Sequence, residues 1–218
     1  MTKDVLLVIP AYNEAKSIAS VIEDILSFYT EILVVDDGSS DDTLSIVKKL
    51  PVKVLALENN QGKAAALYNG IGYAKSHGYK AVMSMDADGQ HEAKYIPAML
   101  KQHQVHPECI IIAARINNIE AAPKHRHFAN CFADFWVSWA AGCPIFDSQC
   151  GFRLVPLAVF DKITIAYDKS RSFVFESEMI IRAARKGFGF CFVAIAKRYD
   201  ERMRESYFHP VKDIQKLC

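Results

Sequence analysis

Residues 4–37 read DVLLVIPAYNEAKSIASVIEDILSFYTEILVVDD. A short apolar run, a helix-length amphipathic segment and a second short apolar run follow one another, the pattern of a strand–helix–strand unit. The runs DVLLVIP and EILVVDD are continuous, not alternating, as expected of parallel strands covered on both faces. The pattern then repeats. DDTLSIVKKL predicts a helix, VKVLAL a third strand, QGKAAALYNGIGYAKSHG a helix, KAVMSMD a fourth strand, AKYIPAMLKQH a helix and CIIIAAR a fifth strand. This alternation predicts an open, mostly parallel α/β sheet with helices on both faces and ligands at the carboxyl ends of the strands.

The second half is less regular. A helix is predicted over 126–141, a short strand near 151–155, a helix in FESEMIIRAARKG, a buried strand in FGFCFVAIAKRY and a helical tail in PVKDIQKL.

At 218 residues the chain is long enough for one large domain, and 51% hydrophobic with 23% charged residues is ordinary for a globular protein. A net charge of +1 and the lack of any nucleic-acid motif speak against a nucleic-acid partner. The six cysteines show neither C-x-x-C nor zinc-type spacing; four lie in apolar surroundings and read as small core residues, and a reduced compartment is expected. The start MTKDVLLVIPAYNE has too short an apolar run for a signal peptide, so a cytoplasmic setting is expected.

The nearest approach to a membrane span, FANCFADFWVSWAAGCPIF at 128–146, is interrupted by Asp134 and Pro144. On a helix, Phe128, Phe132, Phe135, Trp136 and Trp139 share one face. A core role is expected for most of them. The competing reading rests the 124–132 end, with basic Lys124 and Arg126, on the inner face of a membrane.

Three strand ends carry polar clusters: PAYNE (Pro10, Tyr12, Asn13, Glu14), VVDDGSSDDT at 34–43 and MDADGQH at 85–91. Each has a plainer reading. Asn13 or Glu14 can begin a helix, and Ser39 or Ser40 can cap one whose first turn holds Asp41 and Asp42 against the dipole. D-x-D alone can be an Asx turn. Asp36 and Asp37 precede that turn and are not explained by it. In an open α/β sheet all three clusters line one crevice, which favours a site.

Residues i and i+2 of a strand face the same way, so Asp86 and Asp88 are expected to converge. Two close carboxylates need a proton or a cation between them. Mg2+ and Mn2+ take oxygen ligands, often one or two carboxylates plus substrate phosphates. Asp88 is the first-choice ligand, with Asp86 on the sugar nucleotide or the metal shell and Gln90 or His91 nearby.

IPAYNE at 9–14, VVDDGSSDDT at 34–43, NNQGKAAALYNG at 59–70, MDADGQH at 85–91 and DSQCGFRL at 147–154 together resemble glycosyltransferase family 2, whose members have the GT-A (Rossmann-like) fold. Within it, the similarity is nearest to the polyprenyl- or dolichol-phosphate sugar transferase branch. The resemblance implies an inverting, metal-dependent transferase using a UDP- or GDP-sugar with Mg2+ or Mn2+. It implies one domain over 1–218, with a nucleotide-sugar half of about 1–115 and an acceptor half of about 116–218.

The same resemblance puts Pro10, Tyr12, Glu14, Asp37, Lys63, Asp86 and Arg115 on the donor, and Asp86, Asp88 and Gln90 at the metal. Asp147 becomes the candidate base or acceptor-orienting acid, with Gln149, Arg153 and Glu176 on the acceptor side. Helix capping is the expected role of Glu178. Cys150 stands where relatives usually have serine. The tail YDERMRESYFHPVKD departs from the branch, which carries Gly-Glu-Ser-Lys there, so the acceptor is left open, a lipid-linked one included.

Two other functions compete. A sugar-1-phosphate nucleotidyltransferase needs a glycine-rich loop after the first strand, and PAYNEAKS has no glycine. A nucleotide-sugar-binding protein without transferase activity is set against the intact Asp86, Asp88 and Asp147.

Overall fold

A computed structural model of the protein describes residues 4–115, 124–165 and 174–196, with the backbone alone for 124–129. The predicted tail helix lies outside these residues. The strands are β1 (Val5–Ala11), β2 (Ile32–Asp36), β3 (Lys53–Ala56), β4 (Ala81–Ser84), β5 (Ile110–Ala114), β6 (Arg153–Pro156) and β7 (Phe190–Ala194). They form one sheet in the order β3-β2-β1-β4-β6-β5-β7. All neighbours pair in parallel except β6, which runs antiparallel to both β4 and β5.

The helices are α1 (Ile18–Leu26), α2 (Thr43–Val47), α3 (Lys63–Ser76), α4 (Ile96–Val105, entered by a 3-10 turn at Ala93–Tyr95), α5 (Lys124–Ala141), α6 (Leu157–Lys162) and α7 (Phe175–Arg185). Six-residue α6 is too short to show a period and is an addition to the predicted order.

The sheet is covered on both faces, and β1 shows how. Val5, Leu7 and Ile9 enter one apolar cluster while Leu6 and Val8 enter another, because successive strand side chains alternate. On the first face α1 buries Ile18, Val21, Ile22 and Ile25, one helical stripe. On the second, alanine-rich α3 buries Ala64, Ala66, Leu67, Ile71 and Ala74. Gly70 permits that close approach, since a Cβ there would sit 2.5 Å from a Val8 methyl.

The expected core role of the α5 aromatics is overturned. Phe132, Phe135, Trp136 and Trp139 are 44%, 62%, 47% and 71% exposed. They do share a face, but the buried face of α5 is marked by Val137 and Ala141. Spacing fixes which residues stand together and not which side meets the sheet. The Phe128 side chain lies outside the description. Among the described residues, no helix is long and apolar enough to cross a membrane.

Candidate active site

The parallel strands deliver their polar clusters to one edge of the sheet. The loops after β1 and β2 are stitched together there. The Asn13 amide donates to Ser39 Oγ (3.0 Å), the Ser40 amide to Asn13 Oδ1 (2.8 Å), and the Glu14 amide to Thr43 Oγ1 (2.8 Å). Asp41 accepts from the amides of Ala15 (3.2 Å) and Thr43 (2.9 Å). The expected capping by Ser39 or Ser40 is therefore not found: the N-cap of α2 is Asp42, without a side-chain cap bond. Ser39 instead holds the β1 loop. Pro10 is buried within β1, and Tyr12 and Glu14 stand half-buried in the loop beyond it.

Asp37 is buried, with Oδ1 accepting the Gln61 amide (2.9 Å) and Oδ2 the Gly62 amide (2.7 Å). Those two residues lead directly into α3, so Asp37 fixes where Lys63 begins the helix. Lys63 Nζ then lies 2.6 Å from Asp86 Oδ1 and 3.4 Å from Glu176 Oε2. Arg153 Nη1 lies 3.6 Å from the other Glu176 oxygen, and Arg153 Nη2 donates to the Ser148 carbonyl at 2.6 Å. Residues expected on the donor and acceptor sides thus meet in one charged chain: Asp86, Lys63, Glu176, Arg153. Glu178 stands in the first turn of α7 and pairs with Arg182 (2.7 Å) one turn on; the expected capping is not found, since the N-cap is Val174 with no side-chain cap bond.

β4 ends at Ser84, so Asp86 and Asp88 sit in the following turn and not on the strand face that the i, i+2 argument assumed. Asp88 Oδ1 accepts the Gln90 amide at 3.0 Å, an Asx-type turn. Burial raises the Asp86 carboxyl, but Lys63 and His91 outweigh it and the net shift is downward. Burial pushes Asp88 upward, and the Asp86 charge adds to it. His91, buried beside Asp86 (Nε2–Oδ2 3.9 Å), is held below its usual range chiefly by burial.

Asp147, expected on the acceptor side, adopts a left-handed backbone (φ 53°). Its Oδ2 accepts the Arg115 amide at 2.9 Å, and both its oxygens accept from the Arg115 guanidinium. Burial raises the Asp147 carboxyl, but the bonds and charge of Arg115 reverse this and hold it below the usual range. Gln149 Nε2 donates to Ser177 Oγ at 3.3 Å, linking this loop to α7.

Sequence reasoning passed over two contributors. Asp134, read as an interruption of an apolar helix, accepts the amides of Asp147 (3.0 Å) and Ser148 (2.7 Å) and so holds the loop. A carboxylate within an apolar helix was the available signal. Gly151 was the other: a Cβ there would lie 2.7 Å from Asp86 Cγ.

Residues 6–173 match the family model for Glycosyl transferase family 2. The chain belongs to that family. This glycosyltransferase is 30% identical over 172 residues to UDP-N-acetylglucosamine–dolichyl-phosphate N-acetylglucosaminyltransferase of Methanococcus voltae, covering 69% of this chain and 68% of the relative. It is 26% identical over 197 residues to polyprenol monophosphomannose synthase of Mycolicibacterium smegmatis, covering 86% and 74%. Its fold matches glucosyl-3-phosphoglycerate synthase of Mycobacterium tuberculosis, solved with Mn2+, UDP and phosphoglyceric acid. There the TM-score is 0.73 at 17% identity, over 91% of this chain and 71% of that one. The sheet and its flanking helices are accordingly of the GT-A type, and the protein is an enzyme of the nucleotide-sugar transferase class.

Proposed function

We propose that this glycosyltransferase moves a sugar, with inversion, from a UDP- or GDP-sugar to a lipid-linked polyprenyl-phosphate acceptor. The reading takes one domain, with a donor half of about 1–115 and an acceptor half of about 116–218. In its support, β4 of the first half pairs with β6 of the second within one sheet. The relatives above, a dolichyl-phosphate and a polyprenol enzyme, support the acceptor class.

The observation that carries the reading is the unequal pair at the end of β4. Lys63 satisfies Asp86, while burial and the Asp86 charge disfavour ionised Asp88. An all-oxygen donor set with a surplus carboxylate fits a hard divalent cation such as Mg2+ or Mn2+. Asp88 and Asp86 would hold it, with Gln90 beside them. When bound, the ion would neutralise charge on the departing diphosphate.

The chain's own residues do the rest. Pro10, Tyr12, Glu14 and Asp37 frame the nucleoside, and Arg115 and Lys63 supply positive charge near the diphosphate. An acceptor phosphate oxygen attacks the sugar's anomeric carbon opposite the leaving group; the new C–O bond forms as the bond to the nucleoside diphosphate breaks. A phosphate acceptor is already an anion and needs no base. That agrees with Asp147, which Arg115 makes a poor proton acceptor. Asp147 serves to orient the acceptor together with Gln149, Arg153 and Glu176.

Thermal-shift screening of UDP-, GDP-, CDP- and dTDP-sugars with and without Mn2+ identifies the donor, since site binding raises apparent stability. Transfer to dolichyl or undecaprenyl phosphate, with the product anomer read by NMR, then tests acceptor and stereochemistry. Equal nucleotide affinity with and without metal, or retained anomeric configuration, would overturn the reading.

A further inference from the structure

At the opposite end of β5 from the sugar-transfer site, three soft ligands converge. His106, Cys109 and Cys191 each offer one ligand atom, and these atoms lie within 4.8 Å of one another. We infer that they form a second metal site, distinct from the transfer centre, that takes a borderline or soft transition-metal ion of the Zn2+ class.

The local sequence builds the cluster. His106, Pro107, Glu108 and Cys109 form a turn closed by the Cys109 amide donating to the His106 carbonyl at 3.1 Å. Proline at the second position presets such a turn and brings its first and last residues together. Cys109 then leads into β5, whose parallel pairing sets Ile111 against Cys191 on β7. Cys109 and Ile111 share a face, so Cys191 is the diagonal neighbour of Cys109. Between them Gly189 leaves the space open, since a Cβ there would stand 2.9 Å from Cys109 Sγ.

Two thiolates and an imidazole are a zinc donor set that leaves a fourth position. Tetrahedral bonds of about 2.3 Å to sulfur and about 2.0 Å to nitrogen put ligand atoms roughly 3.5–3.8 Å apart, a small contraction from the observed spread. Glu108 Oε1, 3.6 Å from Cys109 Sγ, is at hand for the fourth place, or water fills it. All three ligands are half-buried, so an ion has access. Cys109 precedes β5 and Arg115 follows it, which separates the two centres by about 20 Å of strand. The ion would tie the α4–β5 turn to edge strand β7. Each thiol must ionise to ligate the ion, so binding releases protons to solvent.

The test uses the full chain, reduced and stripped with chelator, then titrated with Zn2+ against a chromophoric chelator. One equivalent is expected to bind, more than about 100-fold more weakly in Cys109→Ser and in Cys191→Ser. Co2+ should give a thiolate charge-transfer band that both substitutions remove and Asp88→Ala leaves in place. If a cysteine variant fails to fold, His106→Ala on the turn should still weaken Zn2+ binding. No bound equivalent, or a band that survives the double cysteine substitution, would overturn the inference.

Discussion

Gly151, two residues before β6, has no room for a side chain because Asp86 occupies it: a Cβ at 151 would lie 2.7 Å from Asp86 Cγ. The DSQCGFRL loop therefore closes directly over the D-x-D turn. On the proposed reading, sugar transfer takes place where β4 and β6 meet.

Gly151→Ala should push the Asp86 carboxylate off Lys63 without emptying the core. Turnover is expected to fall by about 100-fold or more, since small misplacements of a reacting centre cost that much. Far-UV circular dichroism should stay native. Full activity in this variant would mean that Asp86 has no fixed role.

Lys63→Met tests the charge balance of the same centre. It removes the main positive charge beside Asp86, at a cost of about 1–3 kcal/mol for a partly exposed pair. Mn2+ should restore much of that loss, so the metal-induced rise in melting temperature should be larger in Lys63→Met than in wild type. An equal rise in both proteins would argue that the ion binds elsewhere.

Arg115 and Asp147 give a pH-dependent prediction. Their side chains are only 18% and 11% exposed, so removing one partner strands a buried charge. Arg115→Met should cost about 3 kcal/mol at neutral pH. The folded-state Asp147 carboxyl is depressed. Its stabilisation is therefore present above the unfolded value of about 3.9 and lost as pH falls through the lower folded value. Denaturant melts of wild type and variant should converge on acidification through that range. A gap independent of pH would show that the pair is not the source.

Asp147→Asn separates orientation from base catalysis. An orienting role predicts a fall of about 10-fold in turnover with the acid limb of the pH–rate profile unmoved. Loss of a general base would cost about 10²–10⁴-fold. The larger loss together with a vanished acid limb would make Asp147 the base.

The sequence disclosed the first half of the fold well because each strand and helix there is a periodic segment whose period identifies it. The strand near 151–155 was legible and appears as β6, but its antiparallel direction was not, since direction is set by chain routing that no local pattern records. Lys63, Asp86, Asp147 and Glu176 came from motifs, yet the Lys63–Glu176 contact joins α3 to α7 and so spans residues far apart in sequence. Gly151 and Asp134 were missed because their roles appear only against a partner distant in sequence. The His106–Cys109–Cys191 cluster escaped for the same reason, since Cys191 arrives through β7.

The exposed α5 aromatics bear on where the acceptor is met. Trp136 forms edge contacts with Phe132 (6.0 Å between ring centroids), Phe135 (5.5 Å) and Trp139 (5.7 Å), so the four rings make one ridge. Amphipathic rings facing solvent suit the headgroup level of a bilayer, and a lipid-linked acceptor has to be reached there. Lys124 and Arg126, at the start of the same helix, would add attraction to anionic lipid. Trp136→Ser with Trp139→Ser should leave the fold intact, because the two side chains are 47% and 71% exposed and lie outside the core clusters. The pair should nonetheless weaken co-sedimentation with phosphatidylserine-containing vesicles severalfold, and should raise the KM for dolichyl phosphate while leaving that for the donor unchanged. Vesicle binding that is absent in wild type, or indifferent to both tryptophans, would remove the ridge from acceptor capture.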